Sequence, residues 1–393
     1  FYGSPSTRIE VLGVTGEHGK TSLCHLIAQA LGREQACEII GTAGDGPRGG
    51  LEDAPDAVTL QRLMSERLAQ GTKTLALEVA AGELGCAQTA AVRFGHLVCT
   101  RFAADGGHEA GFQALGSQCL EWLVVNLDDP YQVAALDQAP PALRLAGYSL
   151  SADALPPSRC ELMLRASRVV PVAAGLRIAV ERCDGERADA VELETGLIGH
   201  FNAANALALL TLLCSRGLPL GQAASELSHL RGAPGRMECF GGDGAPLVVV
   251  DSARTPAALE NALRSLRLHR FRRLITVVGS GGERDQPDRP ALGAIAERLS
   301  DKLILTDDNP RGEPGQQIIA DILSGVMDAS AVSVERQRGL AIRIAIALAG
   351  VGDAVLIAGK GHDTIQDMGD LKVRFSDRAQ VVEALREWRE GHH

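Results

Sequence analysis

The chain has 393 residues, 45% of them hydrophobic but only 3% aromatic, and a formal net charge of −10. That length leaves room for two or three domains around a large buried core, and an acidic balance without a basic stripe argues against nucleic acid as the main partner. No apolar run approaches the roughly 18 residues that cross a bilayer and no secretory leader opens the chain, so no membrane contact is expected and a cytoplasmic protein is the default.

Nine cysteines, an odd number without a Cys-x-x-Cys pair, imply neither a disulfide framework nor a zinc knuckle. The chain opens at Phe1 and closes on Gly391-His392-His393, which reads as a trimmed start and a tag remnant, with a further N-terminal domain expected upstream.

Residues 9–12 form an apolar run that reads as a short buried strand, and residues 23–31 have helical spacing. Between them lies Gly13-Val14-Thr15-Gly16-Glu17-His18-Gly19-Lys20-Thr21-Ser22, so the order is strand, glycine turn, helix. Regularly spaced glycines let the backbone curl its N–H groups toward an anion, and Lys20 adds a mobile cation for outer phosphates. Thr21 offers a hydroxyl to magnesium at the helix N-terminus, where the macrodipole favours negative charge. Val14 stands where a strict phosphate loop has Gly or Ala, so the loop is a variant; the plain alternative is a glycine-rich strand-to-helix turn. The stretch Gly16, Glu17, His18, Gly19, Lys20, Thr21 and Ser22 is read as binding ATP or a similar nucleotide.

Residues 38–41 read as a second strand, 45–55 as a Gly-rich polar loop, 56–70 as a helix and 74–79 as a third buried strand carrying Glu78 near its end. Further strands are expected at 97–100 and 122–126, and strands alternating with helices imply a parallel sheet. From about 144 to 194, alternating runs such as 176–181 and 190–194 suggest an antiparallel insert. Helices return at 202–214 and 220–230, residues 232–235 read as a linker, and strands at 247–251, 274–279, 302–306 and 354–358 begin a second α/β unit. The expected domains are therefore 1–233 and 234–393.

Ligands of open parallel sheets gather at the carboxyl ends of strands. Glu78 ends a strand expected to neighbour the phosphate loop, which places it to hold magnesium with Thr21, the alternative being an ordinary polar strand terminus. Asp251, Arg284, Asp307, Asp308 and Asp363 follow strands of the second unit, where a second substrate would lie; for any one of them the alternative is a solvated loop charge. The five lysines stand at 20, 73, 302, 360 and 372, which excludes lysine chemistry from the region between 73 and 302.

With these motifs in place the chain resembles the Mur ligase family, most closely the branch that adds meso-diaminopimelate or lysine to the peptidoglycan peptide, over nearly its whole length except that family's N-terminal uridine-nucleotide domain. Gly13 to Ser22 resembles the family's G-V-T-G-T-N-G-K-T-T, Leu77-Glu78-Val79 its M-E-V, and Val125-Asn126-Leu127-Asp128-Asp129 its N-A-D-D. Gly199-His200-Phe201-Asn202-Ala203-Ala204-Asn205 is similar to G-x-F-N-x-x-N, and Gly235-Arg236-Met237-Glu238 to G-R-M-E. Gly281-Gly282-Glu283-Arg284-Asp285 resembles G-G-D-R-D, Asp308-Asn309-Pro310-Arg311 the D-N-P-R of diaminopimelate selection, and Ala358-Gly359-Lys360-Gly361-His362-Asp363 resembles A-G-K-G-H-E.

The resemblance implies an α/β protein: a P-loop-type parallel-sheet central domain with an antiparallel insert, then a Rossmann-like C-terminal domain. It implies a reaction in which ATP phosphorylates a carboxylate and an amine attacks the acyl phosphate, with two magnesium ions offsetting the phosphoryl charge. By matching position, Lys20 and Thr21 would cradle phosphates, Glu78 and Thr21 would bind Mg2+, and Asn202, Asn205, Arg236 and Asp251 would serve the nucleotide. Arg284, Asp308, Asn309, Arg311, Gly359 and Asp363 would hold an amino acid resembling diaminopimelate, with Asp363 where the family has Glu.

The departures cluster. The family's E-V-S-S-H is Glu78-Val79-Ala80-Ala81-Gly82, and its T-N-L-S-R-D-H is Thr100-Arg101-Phe102-Ala103-Ala104-Asp105-Gly106, so a metal-binding histidine is a glycine. The carbamylated lysine expected between residues 111 and 124 has no counterpart, the substrate-gripping T-T-P reads Asp53-Ala54-Pro55, the loop asparagine is His18, and D-Y-A-H-T-P is Asp251-Ser252-Ala253-Arg254-Thr255-Pro256. Two readings follow. One is a divergent ATP-dependent amide ligase acting on a carboxylate other than the usual muramyl dipeptide, with Arg101, Asp105, His108, Glu109 or Arg254 supplying replacement charge. The other is a catalytically degenerate nucleotide-binding paralogue that works as a partner of another protein; ordinary peptidoglycan synthesis is the third.

Overall fold

The computed structural model describes residues 2–33, 36–41, 55–84, 86, 89–102, 121–183, 189–283 and 286–392. Most of the loop expected at 45–55, the Asp53-Ala54 pair, Asp105, Gly106, His108, Glu109, most of the 111–124 segment and Arg284 lie outside these residues.

Nine strands build the first sheet: β1 (Glu10–Thr15), β2 (Cys37–Ile40), β3 (Thr74–Val79), β4 (His96–Cys99), β5 (Trp122–Asn126), β6 (Arg144–Ser149), β7 (Cys160–Val172), β8 (Gly175–Arg182) and β9 (Asp189–Thr195), in the order β2-β3-β1-β4-β5-β6-β7-β8-β9. Every pair from β2 across to β7 is parallel. The antiparallel pairing of β8 with β9 runs from Leu176 opposite Thr195 to Arg182 opposite Asp189. The antiparallel insert expected from about residue 144 therefore starts later: β6 extends the parallel sheet, pairing Trp122 with Arg144 through Asn126 with Tyr148. Its run Leu145-Ala146-Gly147-Tyr148 is buried on both faces, as in a central parallel strand, and the polar residues around it hide that pattern in the sequence.

Helices α1 (Lys20–Leu31), α2 (Ala57–Ala69), α3 (Pro130–Ala135), α4 (His200–Ser215) and α5 (Leu220–Leu227) accompany this sheet. Asp56 starts α2 by accepting from the amides of Val58 and Thr59 at 2.9 and 3.0 Å, which satisfies two of the donors a helix start leaves over. Helix α4 is apolar on all sides, Leu207, Leu209, Leu210, Leu212 and Leu213 all being buried, and it packs between α1 and β6. A second layer built on Leu75, Leu97, Leu123 and Phe94 forms the core on the sheet's other side.

The second sheet has the order β10 (Glu238–Gly241), β11 (Leu247–Asp251), β15 (Ala354–Ala358), β12 (Leu274–Val278), β13 (Lys302–Leu305) and β14 (Ser333–Val334). Only β10 runs antiparallel to its neighbour. Side chains alternate between two cores: Val249, Leu274 and Leu356 on one face, Val248, Val250, Ile275, Val355 and Ile357 on the other. Helices α6 (Pro256–Leu268), α7 (Arg289–Leu299), α8 (Gly315–Leu323), α9 (Arg338–Leu348) and α10 (Asp377–Glu390) cover these faces, and a small hairpin joins β16 (Ile365–Asp367) to β17 (Lys372–Arg374).

The chain forms two compact units. One comprises Phe1–Val170, Leu176–Gly196 and His200–Leu230, the other Pro171–Gly175, Leu197–Gly199 and Arg231–His393. Among the described residues no helix is long and apolar enough to cross a membrane.

Candidate functional site

In the first unit the chain leaves β1 at Thr15, turns through residues 16–19 and enters α1 at Lys20. The turn lies directly on the segment that follows β4. A Cβ built on Gly16, whose φ is +129°, would stand 2.1 Å from Thr100 Oγ1 and 3.0 Å from the Arg101 carbonyl oxygen, so no side chain fits there. Glu17 donates its amide to the Arg101 carbonyl at 2.8 Å, and His18 pairs with Arg101 in an isolated antiparallel bridge. Lys20 Nζ folds back over the loop onto the carbonyls of Gly16 (2.5 Å) and Glu17 (3.3 Å). The first intrahelical acceptor is the Gly19 carbonyl, taken by Leu23, so the amides of Lys20, Thr21 and Ser22 precede the helical ladder and lie at its positive end. Glu17 and His18 are exposed at the crest; Gly19 to Ser22 are half-buried.

Strand order brings the remaining groups of this unit together. β3 neighbours β1 in parallel with Val14 opposite Glu78, so the carboxylate stands beside the root of the loop, against Gly41, whose Cβ would lie 2.4 Å from Glu78 Oε2. The buried Cys24 thiol, one turn into α1, is pushed well up, chiefly by burial and next by the negative charge of Glu78. Asn202 and Asn205, far along the chain, occupy the first two turns of α4. Asn205 donates to Asn202 Oδ1 at 3.0 Å, and its own Oδ1 sits 2.9 Å from where a Cβ of Gly19 would be.

In the second unit Arg236 donates to the Ser252 hydroxyl in a close contact. The Asp251 carboxylate accepts the amides of Met237 (2.8 Å) and Ala253 (2.9 Å), so it pins the left-handed turn at Met237, φ +47°, to the end of β11; burial raises its pKa.

The loops after β11, β12, β13 and β15 meet at the carboxyl edge of the second sheet. Asp308 is 3% exposed, with Lys360 Nζ 3.7 Å from its Oδ1. Gly359 covers it: a Cβ there, at φ +116°, would lie 2.5 Å from Asp308 Oδ2. Asn309 Oδ1 accepts from Lys360 Nζ at 2.8 Å and from the Asp367 amide at 2.9 Å, and Lys360 also reaches the Ile365 carbonyl at 2.7 Å, so one buried lysine ties the loop after β13 to the β16–β17 hairpin. Burial pulls the Lys360 pKa below its ordinary value. Arg311 takes a positive φ of 52°, with Nη1 on the Gly282 carbonyl at 2.8 Å. Asp363 pairs with Arg254, whose Nε donates to the Gly359 carbonyl at 3.0 Å.

Two supporting cations went unnoticed in the sequence. Arg289 is fully buried and donates to both oxygens of Glu313 at 2.6 and 2.7 Å, to Asp321 at 2.8 Å and to the Gly281 carbonyl at 3.0 Å. The guanidinium holds the Glu313 carboxyl down to about 2. Arg338, 2% exposed, grips Asp377 through two 2.7 Å bonds and the Ala358 carbonyl at 2.9 Å. Each opens a helix, and a cation at a helix N-terminus opposes the macrodipole; that mismatch was a readable signal of a dedicated anionic partner.

Among the described residues no three His, Cys, Asp or Glu side chains cluster as a metal site. The Thr21 hydroxyl and the Glu78 carboxylate are hard oxygen donors of the kind magnesium takes when bound phosphates complete its shell.

Residues 14–108 match the Mur ligase middle domain, and residues 235–361 match the Mur ligase glutamate ligase domain. The UDP-N-acetylmuramoyl-L-alanyl-D-glutamate--2,6-diaminopimelate ligase of Alkalilimnicola ehrlichii is 39% identical over 98% of this chain and 78% of its own length. A solved structure of a ligase of the same name superposes with a TM-score of 0.72 at 29% identity, covering 98% of this chain and 79% of that one. Mycobacterium tuberculosis folylpolyglutamate synthase complexed with ADP shares the fold, with a TM-score of 0.64 at 15% identity over 92% of this chain and 90% of that one.

Proposed function

The chain belongs to the Mur ligase family, and from that premise we propose that it is a divergent ATP-dependent acid–amino-acid ligase, joining the carboxylate of an acyl substrate to an amino acid resembling diaminopimelate. In such a ligase ATP converts the acid to an acyl phosphate, which the amine turns into an amide with release of ADP and phosphate, while magnesium offsets the charge of the phosphoryl group in transfer. The observation that carries the reading is the loop at residues 16–22, where a side chain at Gly16 would collide with Thr100, Lys20 bends back over the loop carbonyls and α1 begins at Lys20.

The residues divide the work. Lys20 and the amides at the start of α1 neutralise phosphate oxygens, Lys20 leaving its own loop carbonyls to do so. Thr21 and Glu78 would supply oxygen donors for Mg2+, and Asn205, bonded to Asn202, lies against the loop where Gly19 leaves room for nothing larger. By the family resemblance Arg236 and Asp251 serve the nucleotide, Asp251 fixing the turn at Met237 next to Arg236. Asn309, Arg311, Gly359 and Asp363 hold the amino acid with Arg284, while Asp308 acts from beneath Gly359 by balancing Lys360 and Arg338. The acyl substrate differs from the usual one, because the positions Asp53-Ala54-Pro55 and Ala80-Ala81-Gly82 lack the hydroxyls and the imidazole expected there.

Calorimetric titration with magnesium-ATP and then with meso-diaminopimelate tests this. Binding of both is expected, the first abolished by Lys20→Ala and the second by Arg311→Ala. Silence with both ligands would refute the reading. Nucleotide binding without ADP release for any amino acid and carboxylate tried would favour a non-catalytic paralogue instead.

A further inference from the structure

Resting on the reading of residues 16–22 as the phosphate site, we propose that Asp129 is a positioning residue for that loop. It acts through a single peptide unit, Arg101–Phe102, on which the crest of the loop rests.

Asp129 closes the stretch Val125-Asn126-Leu127-Asp128-Asp129, which holds none of the groups assigned above to ATP or the amino acid. The residue is buried and stands directly before α3. Its Oδ1 accepts the amides of Tyr131 and Gln132 at 3.0 and 3.4 Å and so caps that helix. Its Oδ2 reaches a distant segment instead and accepts the Phe102 amide at 2.8 Å. Gln132, fully buried, braces the arrangement: Nε2 donates to the same Oδ2 at 3.1 Å and to the Thr100 carbonyl at 2.6 Å, while Oε1 accepts the Asn126 amide at 2.8 Å. Turning this amide over would set its oxygen against two acceptors, so only one orientation satisfies it.

The Phe102 N–H and the Arg101 C=O belong to one planar trans peptide, in which they point in opposite directions. Holding the N–H on Asp129 therefore aims the carbonyl the other way, and there it accepts the Glu17 amide at 2.8 Å, next to the bridge between His18 and Arg101. One residue earlier, Thr100 donates its amide and its hydroxyl to the Thr15 carbonyl at 2.8 and 3.0 Å, so residues 100–102 hold the loop at its root and at its crest. The loop needs such a template. Gly16 and Gly19 take φ values of +129° and +92°, and glycines lose more freedom on ordering than any other residue. A loop already ordered binds phosphate without meeting that cost during binding. Asp129 thus supports phosphate binding without touching the nucleotide.

Asp129→Ser separates this role from capping, because a serine hydroxyl still caps α3 but is too short to span the gap to the Phe102 amide. Two readouts on the full chain test the proposal: calorimetric titration with magnesium-ATP, and hydrogen exchange at the Glu17 amide. Asp129→Ser should weaken ATP binding by at least about tenfold and speed Glu17 exchange by a similar factor, with the amides of β1 still protected. Ile178→Ala, at a fully buried position on β8 four strands from β4, is the destabilised control and should move neither readout. Gln132→Met, which removes the brace and leaves Asp129 in place, should move both in the same direction by less, and it carries the test if Asp129→Ser does not fold. A change in only one readout, in neither, or to the same extent in Ile178→Ala overturns the role of Asp129. ATP binding that is absent from the native chain, or untouched by Lys20→Ala, removes the phosphate-site reading itself and the inference with it.

Discussion

Replacing Lys360 with methionine keeps most of the side-chain volume but removes the cation on which the second unit's carboxyl edge is built. The ammonium is fully buried, bonded to Asn309 Oδ1 and the Ile365 carbonyl at 2.8 and 2.7 Å, and 3.7 Å from Asp308 Oδ1. The first two losses are small: Asn309 Oδ1 keeps the Asp367 amide at 2.9 Å, and Ile365 is 49% exposed, so water can reach its carbonyl. The large loss is at Asp308, 3% exposed, which loses the ammonium nearest its Oδ1 and keeps the more distant charge of Arg338. Breaking a buried ion pair on one side costs about 3–5 kcal/mol. The methionine also removes the desolvation that lowers the Lys360 pKa, so the expected destabilisation is at the lower end, about 3 kcal/mol. Of the two tryptophans, Trp388 lies in the second unit, so urea unfolding followed by its fluorescence in a Trp122→Phe background reads this unit. Adding Asp308→Asn should recover most of the loss, because the uncompensated charge is then gone. A single-mutant cost below about 1 kcal/mol, or a second mutation that adds to the loss, would refute the view that the Lys360–Asp308 charge pair organises this edge.

Acid sensitivity should trace to His96 in the first unit. Burial, and next the nearby charges of Arg216 and Arg144, hold its imidazole down to about 4, so between pH 6.5 and 4 the unfolded chain binds a proton that the folded chain refuses. Stability should therefore fall as pH drops through that window, by about 3 kcal/mol in total, because each pH unit between the unfolded and folded pKa contributes about 1.4 kcal/mol. His96→Phe should flatten the slope, and parallel stability profiles for the two proteins would dismiss this origin. Gly16→Ala should weaken ATP binding by more than tenfold (about 1.4 kcal/mol), since the methyl would meet Thr100 Oγ1 at 2.1 Å at a φ of +129°; an unchanged Kd would mean the loop is not the phosphate site.

Much of this molecule was legible in the residues themselves. The glycine turn between an apolar run and a helical period, the parallel strands read as continuous apolar segments, and the acidic and basic residues at strand ends all follow from local chemistry, because backbone conformation and burial leave a signature within a few positions. Strand order left a weaker mark. The strand carrying Glu78 was expected beside the glycine loop, and β3 does pair with β1, Glu78 opposite Val14, but nothing local marked β6 as parallel to β5 where alternation suggested the start of an antiparallel insert. The contacts between distant segments, Asn205 against Gly19 and Arg254 on Asp363, join residues with no common local pattern. The buried arginines 289 and 338 gave only a hint, a cation placed at the wrong end of a helix, and their partners Glu313 and Asp377 are supplied by the fold. A period of two or 3.6 residues states which face of an element is buried, whereas the partner of a buried charge is decided by which elements the sheet brings side by side.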